Sequence, residues 1–573
     1  MKKTLLRRWP LYASLLVFAL LVRLVLTLSL RQNRGCFVYA LDDAYIHMAM
    51  ARNLALHGVW GVTRFAFTSS SSSMLWTLLL SMTYKLFGAS PIAPLLWNLL
   101  FAVLILVAAY AILTWYKVAA VLKFAALLAL IFLVPLPTLV LSGMEQTLQS
   151  LLVMVTVFLA ARVLAGEAPR SVRRDTILLL VLAPLITGVR FEGMFVIIAL
   201  CILFLMGKRW WFAAAFAACG FLPVVIYGII SESHGWFWLP SSVLLKGVSP
   251  DLTSLRGLSL SLAVAAFINL YKGIHVYVLL ISVLIVYIMA CTRGRSAFES
   301  RQVMGAALLL TALPHMEFIQ VGPLFRYDAY LLVLGVLFIA AQLPVVMPGL
   351  MGRALFDPRG IGRSPAGARG GQTDPPRPRL DGTVVAKGLS VGALALLLFF
   401  PLAVKGSRLL WFLPQCTKNI YEQQYQMGLF IHQYYEGAAV ALNDVGAVNY
   451  LADIHCIDLW GLANRDVTAL KRAHRYYTAD IDSLTKQAGA RIAILYDHWY
   501  GGCGGLPREW VRVGQWTIPG NVIDGGDTVS FYAVDPSEAL RLSECLREFS
   551  VKLPPDVAQS GSYLDWNRLP ASQ

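Results

Sequence analysis

Charged residues are scarce in this chain. Only 14% of its 573 residues are Asp, Glu, Lys or Arg, whereas 58% are hydrophobic, and the mean hydropathy is +0.64. A soluble domain of ordinary composition carries about a quarter charged residues. The composition therefore excludes an entirely water-soluble protein and indicates a chain that lies largely within a membrane.

Two familiar sequence signals are also missing. The eight cysteines form no CxxC or Cys/His pattern of the kind that holds a structural zinc. The apolar run at residues 11–30 contains Arg23 and lacks a small-residue cleavage site before Arg31. That run is therefore predicted to be an uncleaved membrane anchor.

Apolar runs near 20 residues long recur along the chain, and this is the length that crosses about 30 Å of hydrocarbon. The segment 177–207 is long enough for two short spans, with a break around Gly188 to Gly193. The clear single spans are 11–30, 93–115, 119–141, 147–165, 210–230, 274–291, 303–320, 328–347 and 386–405.

The short segment 73–88 decides the topology. If it does not cross, Lys and Arg concentrate in one set of loops, as the positive-inside rule requires. We therefore interpret 73–88 as a helix that lies at the outer interface or re-enters it, which leaves about 11 transmembrane helices. The prediction is a multi-pass protein of the inner (plasma) membrane, with its N-terminus cytoplasmic and its C-terminus extracytoplasmic.

The net charge of +16 follows from this topology. Basic loops orient the protein and lie beside anionic lipid headgroups, so membrane lipid is the expected partner and nucleic acid is not.

The chain divides into two predicted domains. Residues 1–405 form the transmembrane part, with a first outer loop at 31–92 and a flexible cytoplasmic loop at 348–385. After the last span the polar content rises, and 406–573 are predicted to fold as an extracytoplasmic α/β or α+β domain. Its predicted strands lie in AAVALNDVG, RIAILYDHW and TVSFYAV.

Charged residues, which are costly to place at membrane depth, gather on the predicted outer face, where five separate segments of the chain contribute them. Ionisable groups at membrane depth are by default functional. This set comprises Asp42, Asp43, Glu145, Arg190, Glu192, Lys246, Arg326 and Asp328, with Tyr327 beside them. Their shared side predicts a cavity that opens outward.

Asp42 and Asp43 begin a predicted helix in which Asp43 and His47 share one face. A carboxylate near apolar surface and a second acid has a raised pKa, which suits a general base. Either Asp42 or Asp43 is the candidate catalytic residue. The alternative is that one of them only caps the helix.

Other members of the set also have plain structural interpretations. Glu145 fits a helix cap, Arg190 and Glu192 can pair with each other, and Lys246 can reach lipid headgroups. The Asn443-Asp444-Val445-Gly446 segment reads as a structural turn, and Trp460 and Trp499 fit either a core or a sugar-stacking role.

The segment DDAYIHMAMARNLALHG, followed by a Ser-rich stretch and LWTLLL, resembles the first outer loop of bacterial GT-C superfamily glycosyltransferases. Within that superfamily, the segment resembles arabinofuranosyltransferase-like enzymes that use a polyprenyl-phosphate sugar. SGMEQTLQSLL, TGVRFEGMF, LPSSVLLKG and FRYDAYLLVLG follow in the family's order, and the resemblance covers residues 1 to about 470.

The resemblance implies transfer of a sugar from a polyprenyl-phosphate donor to an envelope glycan, lipid or protein, with inversion. Arg190, Glu192, Lys246, Arg326, Tyr327 and Asp328 are its implied donor-phosphate and substrate residues. Asp43, His47 and Glu145 could hold a divalent cation, with Mg, Mn or Ca suited to oxygen ligands.

Two departures leave the sugar open. Many members read Arg-Pro-Glu-Gly where this chain has Arg190-Phe191-Glu192-Gly193, and Pro-Asn-Thr where it has Pro240-Ser241-Ser242.

Two rival functions remain at this point. A transporter or flippase for a lipid-linked sugar also needs a polar membrane cavity, although the chain shows no convincing internal repeat. A non-catalytic membrane protein of envelope assembly is the other.

Overall fold

A computed structural model describes residues 8–167, 169–246, 254–319, 322–347 and 382–564. The flexible loop predicted at 348–385 lies almost entirely outside the described residues. The described residues contain 20 α-helices and one six-stranded sheet. Fifteen of the helices precede the C-terminal domain, and five belong to it.

The helices up to residue 420 form the membrane part. They are α1 (Trp9–Gln32), α2 (Asp42–His57), α3 (Met74–Phe87), α4 (Ala93–Trp115), α5 (Ala120–Phe132), α6 (Leu136–Leu141), α7 (Gln146–Ala165), α8 (Pro169–Val189), α9 (Gly193–Met206), α10 (Trp210–Ser233), α11 (Ser241–Lys246), α12 (Leu255–Thr292), α13 (Ser300–Phe318), α14 (Ala329–Val346) and α15 (Gly382–Ile420).

Seven helical segments among the described residues are long and apolar enough to cross a membrane. They are Trp9–Gln32, Ala93–Trp115, Ala120–Leu141, Gln146–Ala165, Trp210–Ser233, Gly273–Thr292 and Ala329–Val346. The chain is therefore a multi-pass helical membrane protein, as predicted. The count of 11 spans stays a prediction, since it also needs α8, α9, α13 and α15.

Two local predictions can be compared directly with the helices. Residues 169–206 divide into α8 and α9, with Arg190 and Glu192 at the break between them. The α3 helix has 14 residues and is about 21 Å long, which is too short to cross unaided. Its exposed Leu78, Met82 and Leu86 suit a position at the membrane interface.

The C-terminal domain is α/β. Its helices are α16 (Gln426–Tyr434), α17 (Ala447–Leu451), α18 (Arg465–Arg472), α19 (Thr478–Gln487) and α20 (Ala539–Ser550). Its strands are β1 (Ala439–Leu442), β2 (His455–Asp458), β3 (Ile492–Leu495), β4 (Val511–Thr517), β5 (Thr528–Ala533) and β6 (Ala558–Gly561). The three strand-bearing segments predicted from sequence become β1, β3 and β5.

The sheet is mixed, in the order β2-β1-β3-β5-β4-β6. Strand β1 pairs in parallel with β2 and β3, while β5 and β6 join through antiparallel pairs. Strand β3 is buried at all four positions, which fits its place in the middle of the sheet.

Cysteine pairing was open in the sequence, because four cysteines lie in this C-terminal region. All eight cysteines are free in the structure; Cys416 and Cys545 are buried, and the other six are partly exposed.

The two domains are joined through α2. Asp42 accepts hydrogen bonds from the main-chain N–H groups of Gly446 and Ala447, at 2.9 and 2.7 Å. Nearer the other end of α2, Arg52 donates to the Tyr450 carbonyl and the Asp453 carboxylate, both at 2.7 Å. Helix α2 is thus the surface on which the C-terminal domain rests.

Gly446 makes this contact sterically demanding. A Cβ atom there would lie 2.1 Å from the Asp42 carbonyl oxygen and 2.6 Å from its carboxylate carbon. We expect Gly446→Ala to cost about 1–3 kcal/mol through overpacking and to loosen the domain from α2. Thermal unfolding and limited proteolysis between α15 and β1 would measure both effects.

Gly502→Ala is the matched control, because nothing lies within 4 Å of a Cβ at that position. Equal stability of the two variants would contradict a tight contact between Gly446 and Asp42.

Candidate functional site

The N-terminus of α2 places two carboxylates in succession. Neighbouring helix residues point about 100° apart, so Asp42 and Asp43 cannot face the same surroundings. Asp42 faces the C-terminal domain, whereas Asp43 contacts Lys246 and Arg326. The structure therefore separates the two residues that the sequence could not distinguish.

Asp42 is bound at both oxygens by the N–H groups that precede and begin α17. Burial raises the pKa of Asp42 to about 8, and the nearby Asp444 carboxylate adds to the rise while the two main-chain hydrogen bonds oppose it. This residue connects the domains and borders a polar cavity beneath the C-terminal domain.

Asp43 lies in a cluster of ion pairs. Lys246 Nζ donates to its two oxygens at 3.0 and 2.9 Å, and Arg326 Nη1 donates to Oδ2. Burial alone would raise the pKa of Asp43, but the two cations hold it well below its usual range. The carboxylate is therefore ionised, and it is 20% exposed.

Asp43 lines two adjoining cavities. The first, of about 50 Å³, lies within the membrane part and is lined by Asp43, Ile46, His47, Ser70, Ser72, Met144, Arg190, Glu192, Ser242, Val243, Lys246, Ile319, Tyr327 and Leu462. The Ser70 and Ser242 hydroxyls are buried there without a hydrogen-bond partner. Buried unpaired hydroxyls are costly unless a ligand engages them.

Arg190 forms the floor of the first cavity. Its Nε and Nη2 donate to the two oxygens of Glu192 at 3.1 and 2.8 Å, and its Nη1 donates to Glu145 at 2.5 Å. The guanidinium carbon lies 5.0 Å from the centre of the Tyr327 ring. Arg190 is thus committed to two carboxylates, in keeping with the structural interpretation of Arg190 and Glu192 as a pair.

His47 connects the Ser-rich segment to this cluster. Its Nδ1 lies 3.0 Å from the Ser71 hydroxyl, and its Nε2 lies 3.7 Å from Glu145 Oε2. Burial lowers the pKa of His47. The neutral imidazole holds the Ser-rich segment beside the cavity.

The metal site predicted from Asp43, His47 and Glu145 is not assembled. In the ranges that the structure describes, no three His, Cys, Asp or Glu side chains could hold a metal ion together. The physical reason is that Arg190 already neutralises Glu145, while Lys246 and Arg326 neutralise Asp43. These residues do not fit a divalent cation.

Asp328 stands apart from the other predicted site residues. It is fully buried, and its Oδ2 lies 3.2 Å from His275 Nε2 on α12. It lines neither cavity around Asp43, so its contacts position the start of α14 beside Arg326.

The second cavity, of about 190 Å³, lies between the start of α2 and the C-terminal domain. Its lining is Leu41, Asp42, Asp43, Ile46, Lys246, Arg326, Ile420, Gln424, Asn443, Asp444, Val445, Trp460, Leu462, Trp499, Ile523, Asp524 and Gly525. Sequence reasoning assigned no site role to Gln424 or Asp524 and read Asn443 and Asp444 as a turn. No local motif marks them, because they meet only through the tertiary fold.

Comparisons with known proteins locate the chain only in outline. A family profile described as a domain of unknown function (DUF8728) matches residues 418–532. A search of curated proteins finds no match.

Nine solved chains are similar in structure. One is ArnT from Cupriavidus metallidurans bound to undecaprenyl phosphate, with 13% identity, a TM-score of 0.48, and coverage of 92% of this chain and 98% of that one. Another is an Archaeoglobus fulgidus oligosaccharyltransferase in complex with Zn and sulfate, with 10% identity, a TM-score of 0.44, and coverage of 88% and 73%. Similarity at this level assigns no activity to this chain.

The Arg190 cluster makes a structural prediction. Arg190→Gln leaves Glu145 and Glu192 without their cation in a buried setting, which we expect to cost about 3–5 kcal/mol. Thermal unfolding in detergent would measure the loss.

The triple variant with Glu145→Gln and Glu192→Gln removes the unpaired charges and should recover much of that stability. If the triple variant is as unstable as Arg190→Gln, charge pairing is not what Arg190 supplies.

Proposed function

We propose that this chain is a membrane glycosyltransferase of the GT-C type, moving a sugar from a polyprenyl-phosphate donor to an acceptor outside the cytoplasm. One observation carries the proposal most directly: the ionised Asp43 carboxylate lies between two cavities and is held by two cations. The ordered resemblance of the five sequence segments supports the same class.

The first cavity suits the donor. A lipid-phosphate sugar approaches from the membrane. The Ser70 and Ser242 hydroxyls have no hydrogen-bond partner in the protein, and the hydroxyl groups of a sugar could provide one. Ser242 lies within the Pro240-Ser241-Ser242 segment, where the chain departs from the family pattern. We infer that this departure faces the donor sugar, so arabinofuranose is not assigned.

Lys246 and Arg326 suit the donor phosphate. They are partly exposed, at 29% and 15%, whereas Arg190 is 1% exposed. Their charge stabilises the phosphate as it leaves, because negative charge develops on its oxygen as the bond to the sugar breaks. Arg190 does not contact the phosphate in this scheme. It is a positioning residue that holds Glu145, Glu192 and Tyr327 in place.

Asp43 is then the general base. Donor phosphate competes with Asp43 for Lys246 and Arg326, and sharing the cations raises the pKa of Asp43 back toward its ordinary range. The acceptor hydroxyl transfers its proton to Asp43 as its oxygen bonds to the anomeric carbon and the carbon–phosphate oxygen bond breaks. A single displacement of this kind inverts the anomeric configuration.

Asp42 has a different role in this scheme. Both of its oxygens are engaged by Gly446 and Ala447 N–H groups. We assign it to holding the C-terminal domain over the second cavity, and we place that domain on the extracytoplasmic side.

The base assignment predicts that Asp43→Asn lowers sugar transfer by about 10²–10⁴-fold while the donor still binds. Purified protein with a radiolabelled polyprenyl-phosphate sugar and envelope acceptor measures transfer, and retention of label on the protein measures donor binding. Asp466→Asn is a matched control, because Asp466 is 66% exposed and lines neither cavity.

Two results would defeat the assignment. Full transfer by Asp43→Asn would remove Asp43 as the base. Movement of label across liposomes without any transfer would instead identify a transporter.

The paired carboxylates predict that transfer persists in EDTA, since side-chain cations already neutralise the site. Transfer would be assayed after chelation and again after adding Mg, Mn or Ca. Loss of transfer that one of these ions restores would show that a divalent cation takes part.

A further inference from the structure

The second cavity contains polar groups that donor binding and base catalysis leave unused. Asp42, Asp444 and Asp524 all line it, with Gln424 and Asn443 beside them. Its volume of about 190 Å³ far exceeds the 10–15 Å³ or so that one water requires. A ligand larger than water therefore fits between the two domains.

The three carboxylates differ in how they are held. Asp42 is bound by main-chain N–H groups, and Asp444 accepts a hydrogen bond from Gln424 at 3.0 Å. Both oxygens of Asp524 are buried with no hydrogen-bond partner. The Gln424 amide nitrogen is already engaged by Asp444 and by the Tyr496 hydroxyl at 2.9 Å. Asp524 is thus a buried acceptor in the cavity wall; the Gln424 amide lies close enough to act on its pKa but does not satisfy either oxygen.

The charge of this lining selects the ligand. Lys246 and Arg326 also line this cavity, where both are paired with Asp43. On the side of the C-terminal domain the lining charges are the carboxylates of Asp42, Asp444 and Asp524, which oppose an anionic ligand there, and the described residues include no cluster of three metal-binding side chains. Burial, with Asp444 and Asp42 nearby, raises the pKa of Asp524 well above its ordinary value. Partly protonated carboxyl groups both donate and accept hydrogen bonds, which suits neutral hydroxyl groups.

Tryptophan rings complete the lining. The Trp460 and Trp499 rings lie 4.3 Å apart, and Trp499 Nε1 donates to the Gly525 carbonyl at 3.2 Å. A Cβ atom on Gly525 would come within 2.2 Å of the Trp499 ring, so the loop that carries Asp524 packs closely on this indole. Lys471 Nζ covers one face of Trp460, 3.4 Å from the ring centre.

We propose that this second cavity is the acceptor subsite and binds a neutral carbohydrate, with its hydroxyls on Asp444 and Asp524 and its ring against Trp499. Apolar aromatic surface beside convergent hydrogen-bonding groups is the chemistry that a sugar ring requires. The inference rests on the proposed function, since it delivers the acceptor hydroxyl to Asp43 from the side opposite the donor.

Binding of small sugars to the full chain tests the subsite without any transfer. The neutral probes are the methyl glycosides of glucose, mannose, galactose and arabinofuranose, with glucosamine and glucose 6-phosphate as charged comparisons. Intrinsic tryptophan fluorescence measures affinity, and hydrogen–deuterium exchange locates protection. We expect saturable binding of at least one neutral glycoside, with protection at residues 496–503 and 521–527.

Asp524→Asn and Trp499→Ala should each weaken that binding by about tenfold or more, as expected when a buried contact worth about 1.4 kcal/mol is lost. Asp527→Asn, an exposed change in the same loop, should bind normally. Trp499→Phe keeps an aromatic ring, so it should bind more tightly than Trp499→Ala. This comparison shows that weak binding by Trp499→Ala is not caused only by misfolding.

The subsite is overturned if no neutral glycoside binds, if only glucose 6-phosphate or glucosamine binds, or if protection is unchanged in both variants. Sugar transfer without such binding would refute the subsite and leave the proposed function standing. Sugar binding without transfer would refute the proposed function and leave the subsite standing.

Discussion

The ion pairs around Asp43 are the interaction on which the rest of the site depends. Lys246 from α11 and Arg326 from the segment before α14 meet one carboxylate at the start of α2. A charge that is partly removed from water is costly when it is unpaired. Pairing therefore favours the arrangement in which α2, α11 and the segment before α14 meet at Asp43. That point is also the partition between the two cavities. Moving any of the three segments would separate the charges and merge or close the cavities.

Two kinds of charge cluster lie side by side here. Arg190 is paired with both Glu145 and Glu192 and is almost fully buried. Its role is therefore structural: it holds the walls of the first cavity in place. Lys246 and Arg326 share a single carboxylate and keep some exposure to the cavities. Two cations on one carboxylate leave a net positive charge, and an incoming phosphate can bind there without leaving an unpaired group behind.

The C-terminal domain adds what the membrane helices lack. Under the proposed function, a lipid-linked donor would arrive within the membrane and a hydrophilic acceptor from water. The domain rests on α2 through Asp42 and Arg52, and its Asp444, Trp499 and Asp524 roof the second cavity. Asp43 lines both cavities, so in the proposed function this one carboxylate serves both ligands. The contact at Gly446 sets how closely the roof lies over Asp43.

Much of the architecture could be predicted from the sequence, because hydrophobic run length and charge are local properties. The apolar runs, the break at Arg190 and Glu192, the short α3 helix and the strands of β1, β3 and β5 all follow from local composition. The gathering of Asp43, Glu145, Arg190 and Lys246 was also foreseeable, since each lies at the end of an apolar run on one predicted side.

Only the tertiary structure determines which residue each charged side chain pairs with. Asp42 and Asp43 are adjacent and chemically identical, and helix geometry alone places them apart without saying what each will meet. Cations that neutralise Glu145 and Asp43 come from residues 45 and 203 positions away along the chain, so the balance that replaces the expected metal could not be read locally. Asp524 lies in a loop nearly 500 residues from Asp42, and only the packing of the C-terminal domain on α2 turns those distant acids into one cavity wall.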